Sequence, residues 1–388
     1  MLRPPDATHF ITGATGFVGA ALTLELLRTH PRDRALCLVR GRDPLHARRR
    51  LVRAVTEAAD AYGVPRAELH SIVPRLTALR GDITARQLGL PDTDRETLLD
   101  AGPLTVWHSA ASLKDTEEAL REIVLHNVTG TENLLETLLE RNVRVFNHIS
   151  TAYVSGRTNG IVAESLQRPR GFSNRYEQSK HYGEMMVADH CAAAGVPYRI
   201  LRPGIVVGHS RTGRATGYTG FLGWVLKLAS LDELSGGALQ QRPLRYVGRP
   251  DVHINVIPVD SVVEDCVGID AAGAETYNRV FHLTNTAPPT VGWMTGVIAD
   301  TLELSPVEFV TDEADLDPVS QRFHKWTRFE RPYVSIDKAF SRVDSDRLYP
   351  GARHGNCPLD AELMNRMVRL AVEDYRRKQA IQRTRGAA

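Results

Sequence analysis

Short apolar runs alternate with longer stretches of helical periodicity through about residue 285. The runs His9-Phe10-Ile11, Ala35–Val39, Leu76–Arg80, Thr105–Ala111, Val143–Ile149 and Tyr198–Arg202 predict six strands. Between them lie a helical pattern with Ala20, Leu22, Leu24, Leu26 and Leu27, a long helical segment from Leu113 to Glu140, and a helix around Tyr176. Strand–helix alternation of this length predicts right-handed crossovers and an α/β fold built on a doubly wound parallel sheet. The pattern changes after Gly208. A polar, Gly-rich stretch from His209 to Gly220 leads to a helical patch over Phe221–Leu231 and a loop over 236–249. Ile254–Pro258 and Arg279–Leu283 predict strands, and Asp260–Ala271 a helix. The remainder mixes short helices with loops and ends in a helix from Asp360 to about Lys378. The expected organisation is a sheet domain over 6–208 and 250–285, interleaved with a smaller C-terminal region over 209–249 and 286–388.

Composition narrows this little. The 388 residues are 42% apolar and 24% charged, with a formal charge of +2, ordinary values for a soluble globular chain. Such balance gives no general case for nucleic acid or membrane binding. No run reaches the ~18 apolar residues of a membrane span, and Met1–Asp6 lacks the apolar core of a signal peptide. Cys37, Cys191, Cys266 and Cys357 are too scattered for a metal pair or a disulfide scaffold. A reduced, cytoplasmic setting without a metal site is the expectation.

Candidate chemistry changes the picture more. The first strand runs into Thr12-Gly13-Ala14-Thr15-Gly16-Phe17-Val18-Gly19 and then a helix. Glycines there let backbone N–H groups approach a pyrophosphate, and the helix start adds positive potential. The second strand ends in Arg40, where NAD-preferring sites carry an acid that bonds the ribose 2′-OH; an Arg accommodates a 2′-phosphate instead. Arg40 therefore argues for NADPH. Arg50 is a second candidate, balanced between that role and a solvated helix face, whereas Arg48 and Arg49 read as solvated. Asp82 and Ile83 at the third strand's end could flank an adenine, or form a plain turn. Ser109, Ala110 and Ala111 are small enough to let a cofactor lie close to the fourth strand. His108 reads as a packed core residue. Asn127 could hold a water or fix a neighbouring backbone. Ser150 and Thr151 place hydroxyls where ligands bind an open sheet. Tyr176 and Lys180 share a helix face, and no other of the eleven tyrosines has Lys four positions on. A nearby ammonium is expected to lower the phenol's pKa. Pro203, Gly204 and Val206 follow the sixth strand.

In this order the motifs resemble the extended short-chain dehydrogenase/reductases, over about residues 8–285. The resemblance implies a Rossmann fold with a C-terminal substrate-binding domain and a Ser/Thr-Tyr-Lys triad, in which Thr151 fills the hydroxyl position beside Tyr176 and Lys180. Leu38-Val39-Arg40, the phrase from His148 to Gly156, and Gly208-His209-Ser210-Arg211-Thr212-Gly213 look most like thioester reductases, with fatty acyl-CoA reductases nearby. That likeness implies NADPH and an acyl substrate tethered to phosphopantetheine or coenzyme A, with a carrier protein as a partner supplied in trans. A free ketone or aldehyde is the alternative substrate, and sugar-nucleotide epimerisation a more remote one.

Overall fold

The computed structural model describes residues 6–113, 120–349 and 359–386. Seven parallel strands form the central sheet: β1 (Thr8–Thr12), β2 (Arg34–Val39), β3 (Leu76–Arg80), β4 (Leu104–His108), β5 (Val143–Ile149), β6 (Tyr198–Pro203) and β7 (Arg279–Leu283). Their order is β3-β2-β1-β4-β5-β6-β7. The chain steps outward from β1 in one direction, then returns to its other side at β4. That reversal opens a crevice at the carboxyl ends of β1 and β4, the place where open α/β sheets bind ligands.

Both faces of the sheet are covered, so its central strands are buried on both sides rather than alternating between core and solvent. β1 and β4 are buried at every position. On one face pack α1 (Phe17–Thr29), α2 (Pro44–Tyr62) and the helix Val259–Ala271. On the other pack α3 (Gly130–Leu139) and α4 (Arg175–Ala194). Local chemistry sets these helices. Asp43 caps α2 by accepting from the His46 N–H at 2.7 Å, with Pro44 in the first turn. Asn174 caps α4 by accepting from the Glu177 N–H at 2.9 Å, and Gly195 ends that helix in a left-handed turn.

The predicted helix from Leu113 to Glu140 is described from Leu120 onward; Lys114–Ala119 lie outside the described residues. Its middle, Val124–Thr129, is a π-helical turn, which rotates the following residues relative to an unbroken α pattern.

A separate hydrophobic core gathers the rest: α5 (Gly220–Leu234), α6 (Val291–Leu302), Phe323, Tyr333 and the final helix, α7 (Ala361–Gly386). Val252, Ile254 and Val256 also pack in it, although the sequence pattern grouped them with the sheet domain. Val256–Pro258 pairs in parallel with Ile205–Val207, a two-stranded link beyond β6. It carries the chain from the sheet edge into the second core.

Candidate active site

The turn between β1 and α1 admits only glycine at two points. Gly13 has φ +75°, and a Cβ there would stand 2.7 Å from the Ala110 nitrogen. A Cβ on Gly19 would stand 2.1 Å from the Gly13 carbonyl oxygen. The loop is thereby pressed against the end of β4. Gly16 caps α1 with no side-chain bond and no acid in the first turn, leaving the helix start polar and positive.

This loop walls one end of a cavity of about 1270 Å³. Gly13, Thr15, Gly16, Phe17, Val18 and Gly19 line it, with Arg40, Arg50, Asp82, Ile83, Ser109, Ala110 and Ala111. Thr151, Tyr176, Lys180, Pro203, Gly204 and Val206 line it further along. The crevice is therefore continuous from the glycine loop to the tyrosine. A bare glycine cradle at a helix start, with small residues beside it, fits a dinucleotide pyrophosphate.

Two expected cofactor residues, Thr12 and Asn127, lie behind the cavity wall. Thr12 is fully buried behind the loop; its Oγ1 accepts from the Ala110 N–H at 3.2 Å and bonds His108 Nδ1 at 2.7 Å. Asn127 is also buried, because the π turn directs it inward. Its amide donates to the Ser112 carbonyl and to Ser179 Oγ, both at 2.9 Å, while its oxygen accepts from the Ser112 N–H at 2.7 Å. Neither side chain lines the cavity. Thr12 holds β1 to β4, and Asn127 fixes a neighbouring backbone. His108 is the packed residue expected, with Nε2 bonded to Thr131 Oγ1 at 2.9 Å.

At the far end of β2, Arg50 Nη1 donates to the Arg40 carbonyl at 2.5 Å. Arg40 Nη1 lies 3.4 Å from His126 Nε2. His126 Nδ1 sits 2.9 Å from the Glu122 carbonyl, so Nδ1 carries the hydrogen and Nε2 is left as an acceptor in the neutral ring. His126 lines the cavity too, and no motif marked it.

The three residues expected to form a triad come from two parts of the chain. Thr151 follows β5, and its Oγ1 accepts from the Tyr153 N–H at 3.3 Å, leaving its own hydrogen to donate. Ser150, also on the cavity wall, has a buried hydroxyl without a partner among the described residues. Lys180 is buried and donates to the Ile149 carbonyl at 2.6 Å. Burial brings its ammonium down to about 8, with the Glu184 carboxylate pulling the other way. Tyr176 is half-buried on the wall. Burial pushes its phenol above the ordinary value, and the Glu177 carboxylate adds to that. This reverses the expectation that Lys180 lowers it. The phenol holds its proton at neutral pH.

Part of the same cavity has an aromatic wall, forming an aromatic chamber. Tyr153, Phe221, Trp224, Tyr246, Phe329 and Tyr333 line it, with Met294 and Ile298. The Phe329 ring lies 6.3 Å from that of Tyr176. One ion pair interrupts the apolar wall: Lys227 Nζ to Glu330 at 2.6 Å. Sequence inspection gave none of these chamber residues a role in the site. They converge from five separate segments and share no periodicity.

An NAD-binding family model described as "Male sterility protein" matches residues 11–266. The chain belongs to this family. Among curated relatives, the aldehyde reductase lnaA of Aspergillus flavus is 29% identical over 295 residues, covering 72% of this chain and 26% of that protein. The carboxylic acid reductase of Segniliparus rugosus is 27% identical over 302 residues, covering 74% and 24%. A Drosophila melanogaster relative that carries a fatty acyl-CoA reductase name is 26% identical over 319 residues, 71% of this chain and 58% of its own length. The chain thus spans about a quarter of two of these proteins and 58% of the third. Among solved structures, the terminal R domain of the myxalamid PKS-NRPS pathway superposes with a TM-score of 0.75 at 22% identity, covering 95% of this chain and 91% of that one. UDP-glucuronic acid 4-epimerase of Bacillus cereus, solved with NAD, superposes at 0.65 and 17%, covering 94% and 99%. The family match supports a nicotinamide dinucleotide as the cofactor. No helix among the described residues is long and apolar enough to cross a membrane.

Proposed function

We propose that this chain is an NADPH-dependent reductase of acyl thioesters carried by coenzyme A or by a carrier protein. One observation carries the reading. Tyr176, Thr151 and Lys180 line the same cavity as the glycine loop and the aromatic chamber. The fatty acyl-CoA, aldehyde and carboxylic acid reductase names among the relatives support the thioester, and Arg40 with Arg50 supports the 2′-phosphate of NADPH.

Gly13 to Gly19 would hold the pyrophosphate, and Arg40 and Arg50 the 2′-phosphate. When bound, the nicotinamide supplies hydride to the acyl carbon. The Thr151 and Tyr176 hydroxyls then donate to the oxygen on which charge develops, usually the largest catalytic contribution. Tyr176 gives up its proton, and Lys180 holds α4 to the end of β5 so that phenol and Thr151 stay in register. The hemithioacetal loses thiol to leave an aldehyde; a second round gives an alcohol. The chamber of Trp224, Tyr246 and Phe329 takes the acyl chain. Free, buried Cys37, Cys191 and Cys266 support a reducing, cytoplasmic setting.

The test supplies a panel of acyl thioesters with NADPH and follows cofactor oxidation and free thiol together. Equal yields of oxidised cofactor and thiol in the first turnover support the reading. Oxidation without thiol on ketones or aldehydes alone would replace it with carbonyl reduction.

A further inference from the structure

A second cavity, of about 740 Å³, opens beside the start of α4. Its wall carries Arg175, His324, Arg328 and Arg331 against one carboxylate among the described residues, Glu313. That carboxylate is already engaged, by Arg331 at 3.1 Å and His324 at 2.8 Å. Arg175 donates to Gln178 at 3.0 Å. Arg328 differs: it is exposed and makes no hydrogen bond or ion pair with any described residue. It also lines the first cavity, next to the Phe329 that faces Tyr176. An unneutralised guanidinium therefore stands on the rim common to both cavities. The start of the 20-residue α4 adds positive potential there.

Substrate placement gives this rim a ligand. A thioester held at Tyr176 has two arms. The aromatic chamber suits the acyl arm, and the glycine end belongs to the dinucleotide. The polar second cavity remains for the thiol arm. In coenzyme A and in carrier proteins alike, that arm is pantetheine ending in a 4′-phosphate. Guanidinium pairs with phosphate through two parallel hydrogen bonds.

We propose that Arg328, backed by Arg331 and Arg175, receives the 4′-phosphate of a pantetheine thioester. This rests on the thioester reading above, but its test does not need turnover. The full chain, saturated with NADPH, is titrated calorimetrically with 4′-phosphopantetheine and with pantetheine. The phosphate should tighten binding at least about tenfold, as a charge-assisted contact does. Arg328→Ala should erase that advantage, and Arg328→Lys should keep part of it. Arg53→Ala, an exposed change on α2, should leave it intact. Equal affinities for the two ligands in the wild-type chain, or a full advantage in Arg328→Ala, would overturn the proposal. Coenzyme A forms a third arm, and both of its results uphold the phosphate site. Further tightening assigns free coenzyme A esters; none assigns a tethered arm. A phosphate advantage with no turnover of any thioester would sink the reductase reading and leave this site standing.

Discussion

The Lys180 ammonium donates to the Ile149 carbonyl at 2.6 Å, tying the helix of Tyr176 to the strand end that carries Thr151. That bond joins the two halves of the proposed catalytic group. It also makes Lys180 a structural cation as much as an electrostatic one, since burial already weakens its hold on a proton.

A pH dependence follows. The Lys180 value falls from 10.5 to about 8 in the folded chain. Between those values the unfolded chain binds more protons, so stability rises as pH climbs through that window. Activity moves the other way, because the ammonium is lost above about 8. The kcat/KM profile should show an alkaline limb near that pH, absent from a slow Lys180→Met variant. A limb unchanged in that variant would assign it to another group.

The Glu184–Arg202 pair tests the frame behind Lys180. Both side chains are fully buried and bonded twice, at 2.6 and 2.8 Å. Glu184→Gln should cost about 3–5 kcal/mol in denaturant unfolding, as breaking a buried pair does. It also removes the carboxylate that raises Lys180, so the alkaline limb should move to lower pH. An unchanged unfolding midpoint would show the pair to be dispensable.

The proposed preference for NADPH rests on Arg40. Arg40→Asp should weaken NADPH binding by one to two orders of magnitude, on the scale of about 1.5–3 kcal/mol for charged hydrogen bonds, and leave NADH nearly unaffected. Fluorescence titration with both cofactors reads the ratio. Equal losses would place the 2′-phosphate elsewhere.

The glycine loop has a sharper requirement. Gly19→Ala puts a methyl 2.1 Å from the Gly13 carbonyl, so the loop must move off the end of β4. Cofactor affinity should fall more than about tenfold, the effect of losing one or two backbone contacts to a charged group. Unaltered affinity would mean that the loop does not bear on the pyrophosphate.

The strands, the glycine turn and the Tyr176–Lys180 spacing were legible in the sequence, because each is a local pattern with a period or a fixed offset. β3, β5 and β7 begin and end where the apolar runs do. Of the two readings open for Asn127, the bonds to the Ser112 backbone match the fixing of a neighbouring backbone, while the π turn that carries it leaves no mark in an α-helical pattern. The phenol's pKa was misjudged because spacing shows a neighbouring charge but not burial. Trp224, Glu330 and Arg328 were invisible, since only tertiary packing brings them toward Tyr176.

The central claim is that Tyr176 protonates the oxygen of a thioester under reduction. The direct measurement compares wild type with Tyr176→Phe, following NADPH oxidation and thiol release on one acyl thioester, with cofactor affinity as the control. The account predicts matched oxidation and thiol release in the first turnover of the wild type. In the variant both should fall by about 10²–10⁴-fold while NADPH still binds. Near-wild-type turnover in Tyr176→Phe, or oxidation without thiol, would contradict it.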